Sequence, residues 1–185
     1  MTRPLFVEPS SECEREDPWS GPQGFMIGGM SLPTKVELSQ QFFDAATLLV
    51  EAIKRCDLED YKLVNPVLYL YRHSLELMLK GVMQSQGSHH KLDVLADDFV
   101  AFIKSRSGED VPKWITNRLK EIARIDPGST AFRYAENMDK ERKRTVPVDG
   151  EIYVGLIHLQ NAMTALHTAL AGVNRVLSKS KAERI

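Results

Sequence analysis

The residues best placed to do chemistry are an arginine and a glutamate one helical turn apart, Arg72 and Glu76, in the run PVLYLYRHSLELMLKGVMQSQ. On a helical wheel both side chains lie within the same apolar stripe as Leu75 and Leu79. An arginine in an apolar stripe needs a partner, because an unpaired charge in the interior is very costly. One carboxylate cannot satisfy five guanidinium N–H donors. We therefore expect backbone carbonyls or Asp126 to supply the other acceptors.

Two interpretations of this pair stay open. Arg72 is either an anion or phosphate binder at the mouth of a pocket, or half of a structural pair that fixes helix packing. The structural role is the more common one, because a paired arginine and glutamate within a bundle need no ligand. Both interpretations predict one connected polar site of Arg72, Glu76 and Arg133, with Glu76 shared by the two arginines.

Two histidines, His89 and His90, come directly before a predicted helix. Imidazoles at this place could act as acid–base groups near neutral pH, or could cap the helix. No set of His, Cys or carboxylate residues has the spacing of metal ligands, so we expect no metal. A glycine-rich phosphate loop, a nucleophile elbow and a paired-cysteine motif are also missing from the sequence, so no cofactor is expected.

One compact basic cluster stands apart from the predicted helices. Basic loops attract phosphate groups, so the cluster is a candidate phosphate contact, although a charged hairpin tip is more often simply solvated. The cluster consists of Lys140, Arg142, Lys143 and Arg144.

The composition favours one domain preceded by an irregular arm. A chain of 185 residues is long enough to bury a sizeable core. Residues 1–33 are rich in proline and glycine and show no period, so we expect an arm there and a helical domain over residues 34–185. No run reaches the ~18 apolar residues of a membrane span, and the acidic start does not resemble a signal peptide. We therefore expect a cytoplasmic protein without a membrane contact.

Helical patterns position these groups. Helix one is predicted from Thr34, with Glu37 completing a capping box, to about Arg55. Helix two is predicted to begin at an Asn65 cap with Pro66 in its first position. Helix three covers about residues 90–105. The buried face of helix one is predicted to consist of Leu38, Phe42, Ala45, Leu49, Ala52 and Cys56, and that of helix three of Leu92, Leu95, Phe99 and Phe102.

The second half of the chain adds two more helices and an insertion. Asp110 and Pro112 open helix four, which is predicted to bury Trp114, Ile115, Leu119 and Ile122. The last helix is predicted to start at Asp149 or Gly150, with an apolar seam of Ile152, Leu156, Leu159, Met163, Leu166, Leu170, Val173 and Leu177 packed along helix one. Residues 131–135 and 145–148 are predicted as the strands of a short hairpin. The expected fold is mainly α: a bundle of four to five helices with a short β-hairpin or extended insertion and the N-terminal arm.

Three stretches read together resemble bacterial HEPN-like proteins of uncharacterised function. They are Tyr71–Lys80, with Arg-His-x-x-Glu-Leu; His90–Leu95, with His-x-Leu; and Asp126–Tyr134, with Phe-Arg-Tyr. The resemblance covers about residues 35–178. It implies a helical bundle, often dimeric, of a type found in toxin–antitoxin and antiviral systems. It also implies that Arg72, His73, Glu76, His90, Arg133 and Tyr134 form a polar network or a binding site.

The ribonuclease members of the HEPN class carry an arginine followed, after four to six residues, by a histidine. No arginine in this chain precedes a histidine at that spacing. The leading hypothesis is therefore a non-catalytic, HEPN-like homodimer that binds a nucleotide, RNA or a protein partner. One alternative is a metal-independent ribonuclease with a site at Arg72, His90 and Arg133. Another is a purely structural or immunity-type interaction protein.

Overall fold

A computed structural model describes residues 32–85, 89–134, 148 and 150–182, and it confirms the mainly α architecture. Its helices are α1 (Lys35–Lys54), α2 (Asp60–Val82), α3 (Leu92–Ser107), α4 (Lys113–Ile125) and α5 (Leu156–Ala182). The chain divides between Pro33 and Thr34, and these helices all follow that division. Residues 1–31 of the predicted arm lie outside the described part of the chain. None of the described helices is long and apolar enough to cross a bilayer.

Helix α2 is the centre of the bundle. It packs against α1 most extensively, then against α5 and α3, while α3 and α4 pack against each other. Short connections, residues 55–59 and 108–112, join α1 to α2 and α3 to α4, so each pair forms a helical hairpin. The core contains Leu75 and Leu79 of α2, with Leu95 and Phe99 of α3 and Leu119 of α4 around them.

The start of α1 confirms the predicted capping box. The Glu37 backbone N–H donates to Thr34 Oγ1 at 3.2 Å, and the Thr34 backbone N–H donates to Glu37 Oε2 at 2.8 Å. These reciprocal bonds satisfy two of the free N–H groups at a helix start.

The buried face of α1 is shifted by one position along the chain relative to the predicted seam. Its buried residues are Ser39, Phe43, Ala46 and Val50. The predicted seam residues Leu38, Phe42, Ala45, Leu49 and Ala52 are half-buried, and Cys56 is exposed. The predicted seam follows apolar residues only and does not contain the polar Ser39. That hydroxyl is satisfied in the interior, since it donates to the Ser74 carbonyl at 2.7 Å, and the stripe that contains it can therefore face the core.

Helix α2 begins earlier than predicted, so the prediction of an Asn65 cap is wrong. The helix starts at Asp60 and carries Pro66 inside it. Proline removes one backbone hydrogen bond within a helix. Pro66 and its neighbour Asn65 are exposed, and a carbonyl left free at such a surface can bind water instead.

The predicted hairpin is not found among the described residues, which contain no strand. Residues 131–133 form a turn, in which the backbone N–H groups of Arg133 and Tyr134 both donate to the Thr130 carbonyl at 3.1 Å. These local bonds use the donors that a strand would offer to a partner. The second predicted strand, residues 145–148, lies outside the described part except for Val148.

One further boundary and two core assignments also differ. Helix α5 starts at Leu156, after Asp149 and Gly150, and Ile152 is exposed ahead of it. Trp114, predicted to be buried in α4, is 47% exposed, because the buried face of that helix consists of Ile115, Leu119 and Ala123. The α5 seam itself is confirmed at its centre, where Met163, Leu166 and Leu170 are buried.

Candidate functional site

Arg72 is fully buried at the point where three segments of the chain meet. Its Nη1 donates to Glu76 Oε2 at 2.8 Å, and its Nη2 donates to the His90 carbonyl at 2.6 Å. Its Nε lies 2.9 Å from Asp126 Oδ2, in an ion pair whose angle is poor for a hydrogen bond. The acceptors are thus the ones expected for a buried guanidinium: carboxylates and a backbone carbonyl.

Glu76 is the shared acceptor of this cluster. Besides Arg72, it accepts a hydrogen bond from Lys80 at 3.0 Å, and its Oε1 lies 2.6 Å from His90 Nδ1. Burial alone would raise the pKa of Glu76, but the hydrogen bonds from Lys80, His90 and Arg72 together hold it below its ordinary value. Two buried cations, Arg72 and Lys80, therefore balance two buried carboxylates, Glu76 and Asp126, and these four side chains together carry no net charge.

Asp126 connects the buried cluster to the loop after α4. Its Oδ2 faces Arg72, while its Oδ1 accepts the backbone N–H groups of Thr130 at 2.7 Å and Ala131 at 3.0 Å. Between them Ser129 is buried and has a left-handed backbone, with φ of 59°. One carboxylate thus fixes both the loop and its position against α2.

Arg133 lies outside this cluster, on the surface of the same loop. Its Nε donates to the Ser129 carbonyl, and its guanidinium carbon lies 5.8 Å from the centre of the Tyr69 ring and 5.3 Å from that of Tyr134. Within the described residues Glu76 pairs with Arg72, Lys80 and His90 but not with Arg133. The prediction that two arginines share Glu76 is therefore wrong, and Arg133 joins the cluster only through the loop backbone.

His73 lies between the buried cluster and this surface. Its ring stacks on Tyr69, with 5.5 Å between centroids and 11° between planes, and meets Phe42 edge-on at 4.6 Å. Burial lowers the pKa of His73; nearby Arg72, Arg133 and His90 lower it further, while Glu76 opposes them. All four charged or titratable groups thus lie close enough to act on one imidazole.

Five residues on this side of the molecule form what we call the aromatic–basic surface. Two of them are clearly open to solvent: 60% of the His90 side chain is exposed, and Tyr134 is 56% exposed. Arg133 is also exposed, and Tyr69 and His73 are half-buried. The aromatic–basic surface consists of Tyr69, His73, His90, Arg133 and Tyr134.

His90 combines an exposed ring with a fixed orientation. Glu76 engages Nδ1 at 2.6 Å, which leaves Nε2 as the nitrogen that can accept a proton when Nδ1 carries the hydrogen. Its neighbour His89 lies with Nε2 3.5 Å from Asp98 Oδ2. In the described part of the chain no three His, Cys, Asp or Glu side chains gather as metal ligands. The basic cluster of Lys140, Arg142, Lys143 and Arg144 lies outside the described residues.

Sequence reasoning missed two members of this region, Lys80 and Tyr69. Lysine is normally a surface residue, yet Lys80 is only 6% exposed. Its position four residues after Glu76 was the available signal, because residues at that spacing are neighbours on a helix. Tyr69 has a matching signal, four residues before His73, on the same helix face.

No protein-family model, curated protein or solved structure matches this chain. The resemblance to HEPN-like proteins therefore rests on the three sequence stretches alone.

Proposed function

We propose that this protein is a non-catalytic, HEPN-like helical module that binds single-stranded RNA or a nucleotide on its aromatic–basic surface. The observation that carries this proposal is the exposed guanidinium of Arg133 over the rings of Tyr69 and Tyr134. Unpaired bases stack on aromatic rings and guanidinium planes, and arginines contact phosphates. A surface that combines these groups suits a flexible, single-stranded ligand better than a duplex, whose bases are already stacked.

The buried cluster acts as the scaffold of this surface rather than as its ligand site. The Arg72 side chain is completely inaccessible, and those of Glu76 and Asp126 are 2% and 1% exposed. None of these three groups can touch a bound phosphate without a rearrangement of the core. Their bonds instead fix His90 and the loop that carries Arg133, which are the groups that meet the solvent.

The resemblance to HEPN-like proteins supplies the wider context of the proposal. It suggests a helical module, often dimeric, that works in a toxin–antitoxin or antiviral system, and the sequence reasons given above suggest a cytoplasmic location. In such a setting a non-catalytic module would recognise RNA or a nucleotide and pass the signal to another protein.

Fluorescence anisotropy with a labelled single-stranded RNA oligonucleotide tests the proposal. Tyr134→Ala should weaken binding about tenfold, because stacking on one aromatic ring contributes about 1–3 kcal/mol per base. Arg133→Gln should weaken binding and reduce its salt dependence. Arg106→Gln, which removes an equal charge at the exposed end of α3, should bind as the wild type does.

Two results would contradict the proposal. One is RNA binding that is equally weak or equally strong in the Tyr134→Ala, Arg133→Gln and Arg106→Gln variants. The other is the absence of binding to RNA and free nucleotides alike, which would favour the structural or immunity-type interaction protein. A thermal melt of each variant separates loss of binding from loss of fold, since Arg133 also holds the Ser129 carbonyl.

A second candidate function is supported by one observation, the 2.6 Å contact between Glu76 Oε1 and His90 Nδ1. A carboxylate that orients an exposed imidazole is the arrangement of a general base. His90 Nε2 would take the proton of a ribose 2′-OH, whose oxygen would attack the adjacent phosphorus while Arg133 holds the phosphate. The bond from phosphorus to the 5′-oxygen of the next nucleotide would break, and that oxygen would leave as a hydroxyl with a proton from water, so that a 2′,3′-cyclic phosphate remains. Arg72, the third residue of the ribonuclease hypothesis, is too deeply buried to take part.

The two functions differ in what happens to the RNA. A module that only binds leaves the oligonucleotide intact during incubation in the presence of EDTA. Cleavage that disappears in His90→Ala, while the thermal melt of this variant stays cooperative, would promote the ribonuclease. Retention of cleavage in His90→Ala would point to a contaminating enzyme and would leave the binding function as proposed.

A further inference from the structure

A second candidate site lies beside α2, and its lining residues differ from those of the aromatic–basic surface. It is a cavity of about 480 Å³ between α2, α4, α5 and residues 150–155. None of the five residues of the aromatic–basic surface lines it. Its volume falls within the roughly 300–1,000 Å³ of typical small-molecule pockets. Most of its walls are apolar, among them Leu68, Ile122, Phe132, Leu159 and Met163.

Among the residues that the structure describes, the charged groups of this cavity leave one cation without an ion-pair partner. Arg118 is paired with Glu121 at 2.5 Å, and Arg72 is neutralised by the buried carboxylates described above. Arg124 also lines the cavity, and it forms no ion pair with any residue that the structure describes. His158, an exposed residue of α5, also lines the cavity. Within the described residues, the cavity thus joins an apolar interior to one guanidinium, that of Arg124, which has no ion-pair partner.

The rim of the cavity is unusually apolar for a protein surface. Its exposed side chains include Val64 at 40%, Ile152 at 49%, Tyr153 at 94% and Val154 at 39%. Exposed apolar side chains gathered at a pocket mouth typically mark a binding site rather than ordinary surface. They add exposed apolar surface to the apolar wall of the cavity.

We propose that this cavity binds a small amphipathic carboxylate, with its aliphatic body between α2, α4 and α5 and its carboxylate at Arg124. The apolar walls and rim recognise a hydrocarbon body, because burying it removes apolar surface from water. The guanidinium of Arg124, which no described residue pairs, recognises a monoanion, and its planar fork matches the two oxygens of a carboxylate. A phosphate ester, which carries more charge, would leave part of that charge unpaired beside apolar walls.

Isothermal titration calorimetry with octanoate and with octanol, which has the same chain but no charge, tests this proposal on the full chain. We expect octanoate to bind about tenfold more tightly than octanol, the factor that corresponds to about 1.4 kcal/mol for one charge-assisted pair. Arg124→Gln should remove that preference and leave octanol binding unchanged. The matched control Arg106→Gln, on the exposed end of α3, should behave as the wild type.

A second variant tests the position of the aliphatic body. Ala162 lines the cavity from α5 and is half-buried, so Ala162→Phe should fill the cavity and weaken both ligands by at least tenfold. Arg124 is exposed, and its replacement keeps the proposal testable if Ala162→Phe fails to fold.

Equal affinity for octanoate and octanol in the wild type, or no heat from either ligand at millimolar concentration, would overturn the proposal. RNA binding should be unaffected by Arg124→Gln, so the two proposals fail separately.

Discussion

The Nε atom of Arg72 lies 2.9 Å from Oδ2 of Asp126, although 54 positions separate the two residues (126 minus 72). The same guanidinium donates to the carbonyl of His90. His90 stands just before α3, and Asp126 directly follows α4. A single side chain of α2 therefore holds both ends of the α3–α4 hairpin.

The first prediction concerns Asp126→Asn. The amide can still accept the loop N–H groups of Thr130 and Ala131, but it removes the charge that faces Arg72. We expect a loss of about 3–5 kcal/mol in the free energy of unfolding, because the change strands a buried cation. Urea unfolding measures this loss, and Asp110→Asn is the matched control.

Asp110 pairs with Lys104 at 2.9 Å, but 85% of its side chain is exposed. Exposed ion pairs contribute about 0–1 kcal/mol, so the control should stay within that range. Equal and small losses in the two variants would mean that the contact between Arg72 and Asp126 does not stabilise the fold.

The second prediction concerns Glu76 and acid. The hydrogen-bond network lowers the pKa of Glu76 in the folded state, so the unfolded chain takes up this proton first. The stabilisation is complete above the unfolded pKa of about 4.3 and is lost as the pH falls through the folded value. Glu76→Gln should destabilise the protein at neutral pH by several kcal/mol and should flatten the acid limb of its stability curve. An acid limb as steep as that of the wild type would contradict this assignment.

The third prediction concerns His167 of α5, which is buried against α1. Its Nε2 lies 3.2 Å from Ser39 Oγ, and its ring stacks on Phe43 at 4.2 Å. The Ser39 hydroxyl gives its proton to the Ser74 carbonyl, so Nε2 must carry the hydrogen of the neutral ring. Burial lowers the pKa of His167, with a smaller opposing effect from Asp44.

A lowered histidine pKa makes the fold weaker in mild acid. Above about pH 6.5 the His167 ring is neutral in both the folded and the unfolded state. Below that pH the unfolded chain binds the proton first. The free energy of unfolding therefore falls as the pH falls, until His167 of the folded state is also protonated. His167→Gln should reduce the loss of stability between about pH 7.5 and about pH 5.5, as measured by urea unfolding. His73, whose pKa is also lowered by burial, maintains part of the slope. The control His158→Gln replaces an exposed histidine and should leave the measured loss of stability unchanged.

The fourth prediction concerns the α5 seam. Leu166 is 0% exposed, and Leu166→Ala should lower the free energy of unfolding by about 2–5 kcal/mol through lost burial and the cavity left behind. Val176→Ala removes methyl groups from the same helix at a position that is 67% exposed, and should change stability by less than about 0.5 kcal/mol. A similar result for both would mean that the seam does not pack as described.

The fifth prediction concerns oligomeric state. Helices α1 and α5 expose Leu48 at 70% and Ile157 at 64%, which adds apolar surface to that of the cavity rim. Surfaces of this kind are commonly covered by another subunit, and we expect a homodimer. Light scattering at micromolar concentration measures the mass directly, and the mass of a single chain would contradict the prediction.

Periodicity was sufficient to locate the centre of the site. The helical wheel of α2 placed Arg72 and Glu76 in the core, and the excess of guanidinium donors pointed to Asp126. These inferences succeeded because only a few kinds of group can pair with a buried charge. The α1 face was missed for a related reason: Ser39 looked like a surface residue until its two hydrogen-bond partners, on α2 and α5, were known.

Other features depend on contacts that no local pattern encodes. The loop after α4 was predicted as a strand, yet Asp126 captures its backbone N–H groups. The start of α2 was placed at Asn65 because proline favours the first position of a helix, while the exposed backbone around Pro66 tolerates a missing bond. Arg133 was expected to share Glu76, whereas its guanidinium lies at the surface over the rings of Tyr69 and Tyr134.

The double attachment of the α3–α4 hairpin also determines how this protein opens. Detaching either end of the hairpin from α2 leaves the guanidinium of Arg72 short of an acceptor in a dry interior, so releasing one end weakens the hold on the other. Partial opening is therefore disfavoured, and the amide hydrogens of α3 and α4 should exchange with solvent as one cooperative unit. Arg72 thus makes two sequential helices respond to thermal fluctuation as a single body.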